Sequence, residues 1–241
     1  MAAGAGFGAL AKADELKKRL WFTVGALIIY RLGTYLPLPG IDPGALADIF
    51  SQQSSGILGM FDMFSGGALG RMTIFALNIM PYITASIIMQ LMTAIVPSLE
   101  ALKKDGEAGR KMINQYTRYL TVLLATVQGY GIAVGLESAS GVVDDPGLFF
   151  RVTTVVTLVG GTLFLMWLGE QITSRGVGNG ISLIIFAGIV ANLPTALAGT
   201  LELGRTGALS LLLIVLLFVM ATAVIAFIVF IERSVRKILV Q

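Results

Sequence analysis

The chain has 241 residues, 56% of them hydrophobic and 13% charged, where soluble domains run near 45–50% and about 25%. It contains no Cys and no His. That excludes disulfide frameworks, thiolate nucleophiles, imidazole bases and Cys- or His-ligated metals, and with them rhomboid-like proteases, zinc membrane proteases and haem carriers.

Residues 9–20 set Lys12, Asp14, Lys17 and Lys18 among Leu10, Ala13, Leu16 and Leu20. This is the pattern of an amphipathic helix lying on the cytoplasmic membrane surface, and residues 1–19 are assigned to it. Six apolar segments follow: 20–38, 72–96, 116–136, 152–168, 181–198 and 208–231. At 1.5 Å per residue such lengths suffice to cross about 30 Å of hydrocarbon, so a polytopic, all-α membrane helix bundle is expected. The first segment has a basic flank but no small-residue cleavage site after it, which makes it an anchor and not a cleaved leader. Thirteen basic residues fall on one side of these spans, in the stretches 12–19, 103–118, 175 and 233–237. Three fall on the other side, Arg71, Arg151 and Arg205, while Arg31 lies inside the first span. The imbalance places both termini in the cytoplasm. The formal charge of +3 is too small to argue for nucleic acid, and no direct nucleic-acid sequence recognition is expected.

The segment between the first two spans, 39–71, opens with turn chemistry, Pro39-Gly-Ile-Asp-Pro-Gly44. It continues with an apolar stretch, 56–69, that is too short to cross. Such a stretch is re-entrant, interfacial or packed inside the protein, since non-helical backbone at membrane depth requires protein or water around it. A short amphipathic helix on the outer surface fits the spacing equally well. Pro81 is expected to interrupt and kink the second span. Thr84, Gln90 and Gln128 are candidates for hydrogen bonds across a helix seam, and Arg31 reads as a structural residue that snorkels outward. The glycine-rich stretch 176–180 lacks the Lys-Ser/Thr of a nucleotide loop and reads as a tight turn.

Several ordered motifs resemble the SecY protein-translocation channel family, in its bacterial form. They are Phe64-Ser-Gly-Gly-Ala-Leu69 with Ile79-Met-Pro-Tyr-Ile-Thr-Ala-Ser-Ile-Ile88, then Gly106-Glu-Ala-Gly-Arg110 with Gln115-Tyr-Thr-Arg-Tyr119. Further on come Gly161-Thr-Leu-Phe-Leu-Met-Trp-Leu-Gly-Glu-Gln-Ile-Thr173 and Gly178-Asn-Gly-Ile-Ser182. Asn78 and Met112 stand where that pattern leads one to expect glycine and a basic residue. The resemblance implies residues 20–200 as the first half of an inverted-repeat channel and 201–241 as a sixth span with the root of the next loop. Six spans cannot enclose that family's pore, so a fragment or one part of a split channel is expected.

By the same resemblance, Ile83, Ile87, Ile185 and Ile189 match the pore ring. Each pair is spaced i, i+4 on one helix face; by spacing alone, such isoleucines face lipid or a neighbouring helix. An aliphatic neck dewets, opposes ions and still yields to any passing side chain. Residues 56–71 correspond to the plug, with Met60, Phe61, Met63, Phe64, Ser65, Gly66, Gly67, Ala68 and Leu69 at its centre. Thr84, Gln90 and Gln128 fall on the lateral gate, through which apolar segments pass into lipid. Arg233, Arg236 and Lys237 begin the loop that receives a SecA motor or a ribosome. SecE-like and SecG-like small subunits, signal sequences, nascent polypeptides and membrane lipid are the implied partners, the bacterial inner membrane the implied location, and no cofactor or metal is implied. A secondary solute transporter is the rival, but it calls for charged or coordinating groups at mid-membrane, and Arg31 is almost the only such group. An intramembrane enzyme with a serine and a lysine base needs a lysine deep in a span, and every Lys lies on the cytoplasmic side.

Overall fold

The structure, a computed structural model, describes residues 14–53, 59, 62, 63, 65–139, 141–207 and 209–234. The expected surface helix up to residue 13, the plug residues Met60, Phe61 and Phe64, and Arg236 and Lys237 lie outside the described residues. The chain divides into two compact units, Met1–Asn192 and Leu193–Gln241.

The first unit contains α1 (Asp14–Gly33), α2 (Pro43–Gln53), α3 (Met80–Ile95), α4 (Pro97–Lys104), α5 (Glu107–Ser138), α6 (Leu148–Arg175) and α7 (Gly180–Ala191). The second contains α8 (Leu193–Arg205) and α9 (Leu211–Arg233), the latter exposed along nearly all its length. By length and composition, Glu107–Ser138, Leu148–Arg175, Gly180–Arg205 and Leu212–Arg233 are long and apolar enough to cross a membrane. The bent pair α3–α4 makes a fifth if it is counted as one span.

The six expected spans therefore reduce to four or five among the described residues, for two local reasons. α1 is 20 residues long, but Asp14, Glu15, Lys17, Lys18 and Arg19 occupy its start. The chain leaves it at Gly33 to form a bridge, Pro37 to Thr73, with Leu38 N–H donating to the Met72 carbonyl and Ile74 N–H to the Leu36 carbonyl, each at 3.0 Å. The second segment becomes helical only at Met80, because Met72 and Asn78 hold left-handed backbone, φ 42° and 49°. Asn tolerates that conformation better than most L-residues. The unexpected residue at position 78 thus fills the role of the expected glycine.

Pro81 does not kink its helix. It sits in the first turn of α3, where a missing N–H has no intrahelical partner to lose and the fixed φ favours initiation. The sharp change of direction comes instead after Val96, where Pro97 starts α4 and the axis turns by 98°.

α6 is the central post of the first unit: α5, α7 and α1 pack on it, and α3 lies mainly against α5. Small and hydroxyl side chains line the α5–α6 seam. Thr121, Ala125, Gly129 and Ala133 are buried on α5, and Gly129 faces Leu158 of α6. Such residues let membrane helices approach closely, and Thr117 and Thr121 satisfy their hydroxyls on the carbonyls four residues back.

Two apolar clusters form the core. One joins Leu38, Ile41, Leu46, Met72, Leu136, Val142 and Phe150, where the Ile41–Val143 bridge ties the loop before α2 to the α5–α6 connection. Across that same connection Arg151 pairs with Glu137, whose carboxylate also accepts the Gly147 N–H. The other cluster joins Ala26, Tyr30, Phe75, Ile79, Leu165, Leu168, Ile172 and Ile184. Tyr30 and Phe75 of this cluster stack at 6.2 Å, and Phe75 stacks in turn on the exposed Phe164 at 5.8 Å. Close approach fixes the glycines here: a Cβ at Gly161 would collide with the Ile74 carbonyl, and one at Gly33 with the Phe75 ring.

The 176–180 stretch is a tight turn. Gly178 has φ 77°, Asn179 caps α7 by accepting the Ile181 and Ser182 N–H groups, and Val177 N–H donates to the Thr23 hydroxyl.

Candidate functional site

Residues 62, 63 and 65–79 run as largely non-helical backbone between α1, α6 and α7. Asp62 organises the first part. Its carboxylate accepts the Gly70 N–H at 2.6 Å, and its carbonyl accepts the Gly67 N–H at 3.0 Å and the Ser65 hydroxyl at 2.9 Å. The Ser65 oxygen in turn accepts the Leu69 N–H at 3.1 Å, and the Ala68 carbonyl accepts from the backbone and hydroxyl of Thr73. Left-handed conformations at Gly66 and Gly67, φ 67° and 81°, reverse the chain where a side chain would strain it. Ser65, Gly66 and Ala68 are buried.

This turn lies against α7. A Cβ built on Gly66 would stand 3.0 Å from the Gly188 carbonyl oxygen and 3.1 Å from its Cα, so two glycines form the contact. Gly188 lies between Ile185 and Ile189 in sequence. On the other side the turn is held to α1: Arg31 Nη1 donates to the Gly66 carbonyl at 2.9 Å, and the Tyr30 hydroxyl to the Ser65 carbonyl at 3.5 Å. Arg71 Nη2 reaches the Gly66 and Thr34 carbonyls at 3.2 and 3.3 Å.

The residues expected at the pore fall as follows. Ile83 is half-buried against the second core cluster and Ile185 is half-buried on α7, while Ile87 and Ile189 are exposed by 52% and 38%. α3 leans mainly on α5 and α7 on α6, with no substantial interface between α3 and α7. Of the plug residues, Ser65 to Leu69 belong to the turn, and Met63 is exposed beside it. Thr84 is half-buried and bonds to the Met80 carbonyl of its own helix, so its hydroxyl is spent within α3. Gln90 is exposed on α3, where it lines a cavity of about 390 Å³ with Tyr82, Ser86, Thr93, Lys103 and Arg110. Gln128 is exposed on α5 and does not line that cavity. Arg233 ends α9.

Three residues of this site were not singled out by sequence: Asp62, Arg71 and Tyr35, whose hydroxyl accepts from Arg31 Nη2 at 3.4 Å. Arg31 reads by sequence as a structural residue reaching outward, and it bonds to the turn. The one available signal was the rarity of a charge within an apolar span, which by default marks a functional position. Asp62 and Arg71 carried none, since their roles depend on backbone carbonyls and amides that have no sequence signature. Among the described residues no group of His, Cys, Asp and Glu is placed to hold a metal ion.

Fold and site together define a polytopic helical membrane protein with buried, non-helical backbone between its spans. A family model described as SecY matches residues 73–241. Over 230 residues the chain is 58% identical to the protein translocase subunit SecY of Buchnera aphidicola subsp. Acyrthosiphon kondoi, covering 94% of this chain and 65% of the relative. It is 57% identical to that of Escherichia coli strain K12, covering 94% and 52%. The chain belongs to the SecY family. It spans roughly half to two thirds of the length of these curated relatives. Sec61 in the canine ribosome–channel complex from the endoplasmic reticulum superposes with a TM-score of 0.54 at 21% identity, over 72% of this chain and 36% of that one. A structure of the SecY protein concerned with its plug domain gives 0.51 at 20%, over 78% and 37%. At such identities these two likenesses establish the fold.

Proposed function

We propose that this chain supplies pore-lining helices of a protein-conducting channel in the bacterial inner membrane, passing unfolded polypeptides across and releasing apolar segments sideways into lipid. The observation that carries the reading is the seating of the Gly66 turn on Gly188. A short re-entrant segment is lodged against the helix that bears Ile185 and Ile189, and that is where a plug for an aliphatic ring belongs. α3 and α7 make no substantial contact with each other, and the exposure of Ile87 and Ile189 leaves both free to face a pore between their helices.

In this reading the N-terminus is cytoplasmic and the turn approaches from the outer side, as the charge asymmetry requires. Residues 20–200 are the first half of the inverted repeat, with 1–19 a surface helix before it and 201–241 the sixth span after it. Thr84, Gln90 and Gln128 border the lateral gate. Arg233, Arg236 and Lys237 root the loop that meets a SecA motor or a ribosome, which supplies the energy, and SecE-like and SecG-like subunits complete the assembly. The gate has a thermodynamic basis: each Leu, Ile, Phe or Val favours the bilayer by about 0.3–0.6 kcal/mol, so roughly fifteen of them decide partition by several kcal/mol.

The test is conductance in planar bilayers, using the channel as its gene encodes it. Ile87→Ser and Ile189→Ser are expected to raise ion leak in the idle state, because a hydroxyl wets the neck. Unchanged conductance in both would refute the ring.

A further inference from the structure

The Gly66 carbonyl is the meeting point of two cations. Arg31 reaches it from α1 at 2.9 Å, and Arg71 reaches it from beyond the turn at 3.2 Å. Both guanidinium groups also lie over the Tyr35 ring, at 5.3 and 4.5 Å from its centroid. Arg71 is further tied to the Thr34 carbonyl at the end of α1. Neither arginine forms an ion pair among the described residues, whose five salt bridges lie elsewhere.

Like charges brought together without a carboxylate repel, so the arrangement needs compensation. Here it comes from the one carbonyl oxygen that both share, from the Thr34 carbonyl and the Thr34 and Tyr35 hydroxyls that each reaches singly, and from the negative face of an aromatic ring. The shared carbonyl belongs to the turn. When the turn leaves α7, both guanidinium groups lose their shared acceptor and their repulsion remains. The arginines are therefore coupled to the position of the turn, and the wall at Gly188 fixes where that position is.

We propose that Arg31 and Arg71 are positioning residues: a two-guanidinium clasp that sets how often the Gly66 turn lifts away from α7. The proposal rests on the plug reading for its consequence, but the lifting itself is measurable without it. Arg has a fixed fork of donors, whereas Lys supplies a single point charge. A lysine in place of Arg31 is thus expected to restore part of the hold, and a glutamine less.

These 241 residues hold no Cys, so with any cysteine encoded outside them replaced by serine, a single introduced thiol reports on one place. Ala68→Cys puts it in the turn and Ala133→Cys puts it in the α5 seam, and both alanines are fully buried. Maleimide labelling is followed in membrane vesicles from cells expressing the chain as its gene encodes it. A hydrogen bond from a charged donor is worth enough that its loss is expected to speed labelling at position 68 about tenfold or more. Arg31→Gln and Arg71→Gln should each do so, and Arg31→Lys by clearly less, with the rate at position 133 unchanged throughout.

An unchanged rate at position 68 in the double glutamine variant would overturn the clasp. So would equal rises at both positions, which report general loosening, or a lysine variant no better than the glutamine one. Idle conductance of the same membranes separates the two readings. Faster labelling without added leak keeps the clasp and defeats the plug. Unchanged labelling, in a channel that Ile189→Ser makes leaky, keeps the ring and defeats the clasp.

Discussion

Replacing Gly66 by alanine tests the seating of the turn with the smallest possible change. Its φ of 67° is a left-handed conformation, which costs an L-residue about 1–2 kcal/mol. The added methyl would also stand 3.0 Å from the Gly188 carbonyl oxygen, 3.1 Å from the Gly188 Cα and 2.8 Å from Arg31 Nη1. The arginine can swing away, but the Gly188 backbone is part of a helix and cannot. The backbone cost alone corresponds to roughly a 5–30-fold shift in the population of the lifted state. Hydrogen exchange reads that population, because local openings of this kind expose amides without global unfolding. The amides of Gly67, Leu69, Gly70 and Thr73 are all bonded within the turn or beside it. Peptides covering 65–73 should exchange faster by that factor in Gly66→Ala, while the α5 seam keeps its protection. Gly131→Ala is the control: it lies in α5, and nothing stands within 4 Å of the added carbon, so exchange in 65–73 should not change. If Gly66→Ala behaved like Gly131→Ala, the turn would not be seated on α7 and the argument from Gly188 would fail.

Two further predictions concern the start of the second span. Asn78→Val should lower the thermal midpoint in detergent by the equivalent of about 2 kcal/mol, since a β-branched residue suits φ 49° poorly, while Asn78→Gly stays close to the parent. Equal midpoints for the two would show that the backbone at 78 is not held left-handed. Pro81→Ala should destabilise by about 0.4–1 kcal/mol, through lost pre-organisation at the first turn of α3. A gain in stability would mean that Pro81 strains a helix already formed before it.

Much of the architecture was legible because the bilayer writes it into composition. Long apolar runs, charge asymmetry and the 56–69 stretch that is too short to cross are direct readings of hydrocarbon thickness and of the cost of charge. The family came from ordered motifs. What stayed hidden depends on backbone geometry, which hydropathy does not see. Residues 72–79 look like the opening of a span and are instead a buried, bonded loop, because Asn78 and Met72 take conformations no apolar count records. Pro81 was legible as a break, yet its position at the first turn makes it a beginning. The 11-residue α2 within the loop, started beside an Asp42 carboxylate that accepts the Gly44 N–H, has too little apolar length to stand out. Arg31 was visible as an oddity, but its partner is a main-chain oxygen 35 residues away, and no side-chain pattern encodes that.

The wiring of the Gly66 turn also sets what it costs to move. Most of its polar groups are answered from inside: Asp62 serves Ser65, Gly67 and Gly70, Ser65 serves Leu69, and Ala68 serves Thr73. Among the described residues, a few bonds join it to α1 and the residue just after it, through Tyr30, Arg31 and Thr34. Such a piece is lightly moored: it is the first part of this unit to come loose, and once it quits its berth its short inner bonds stand open to water and exchange.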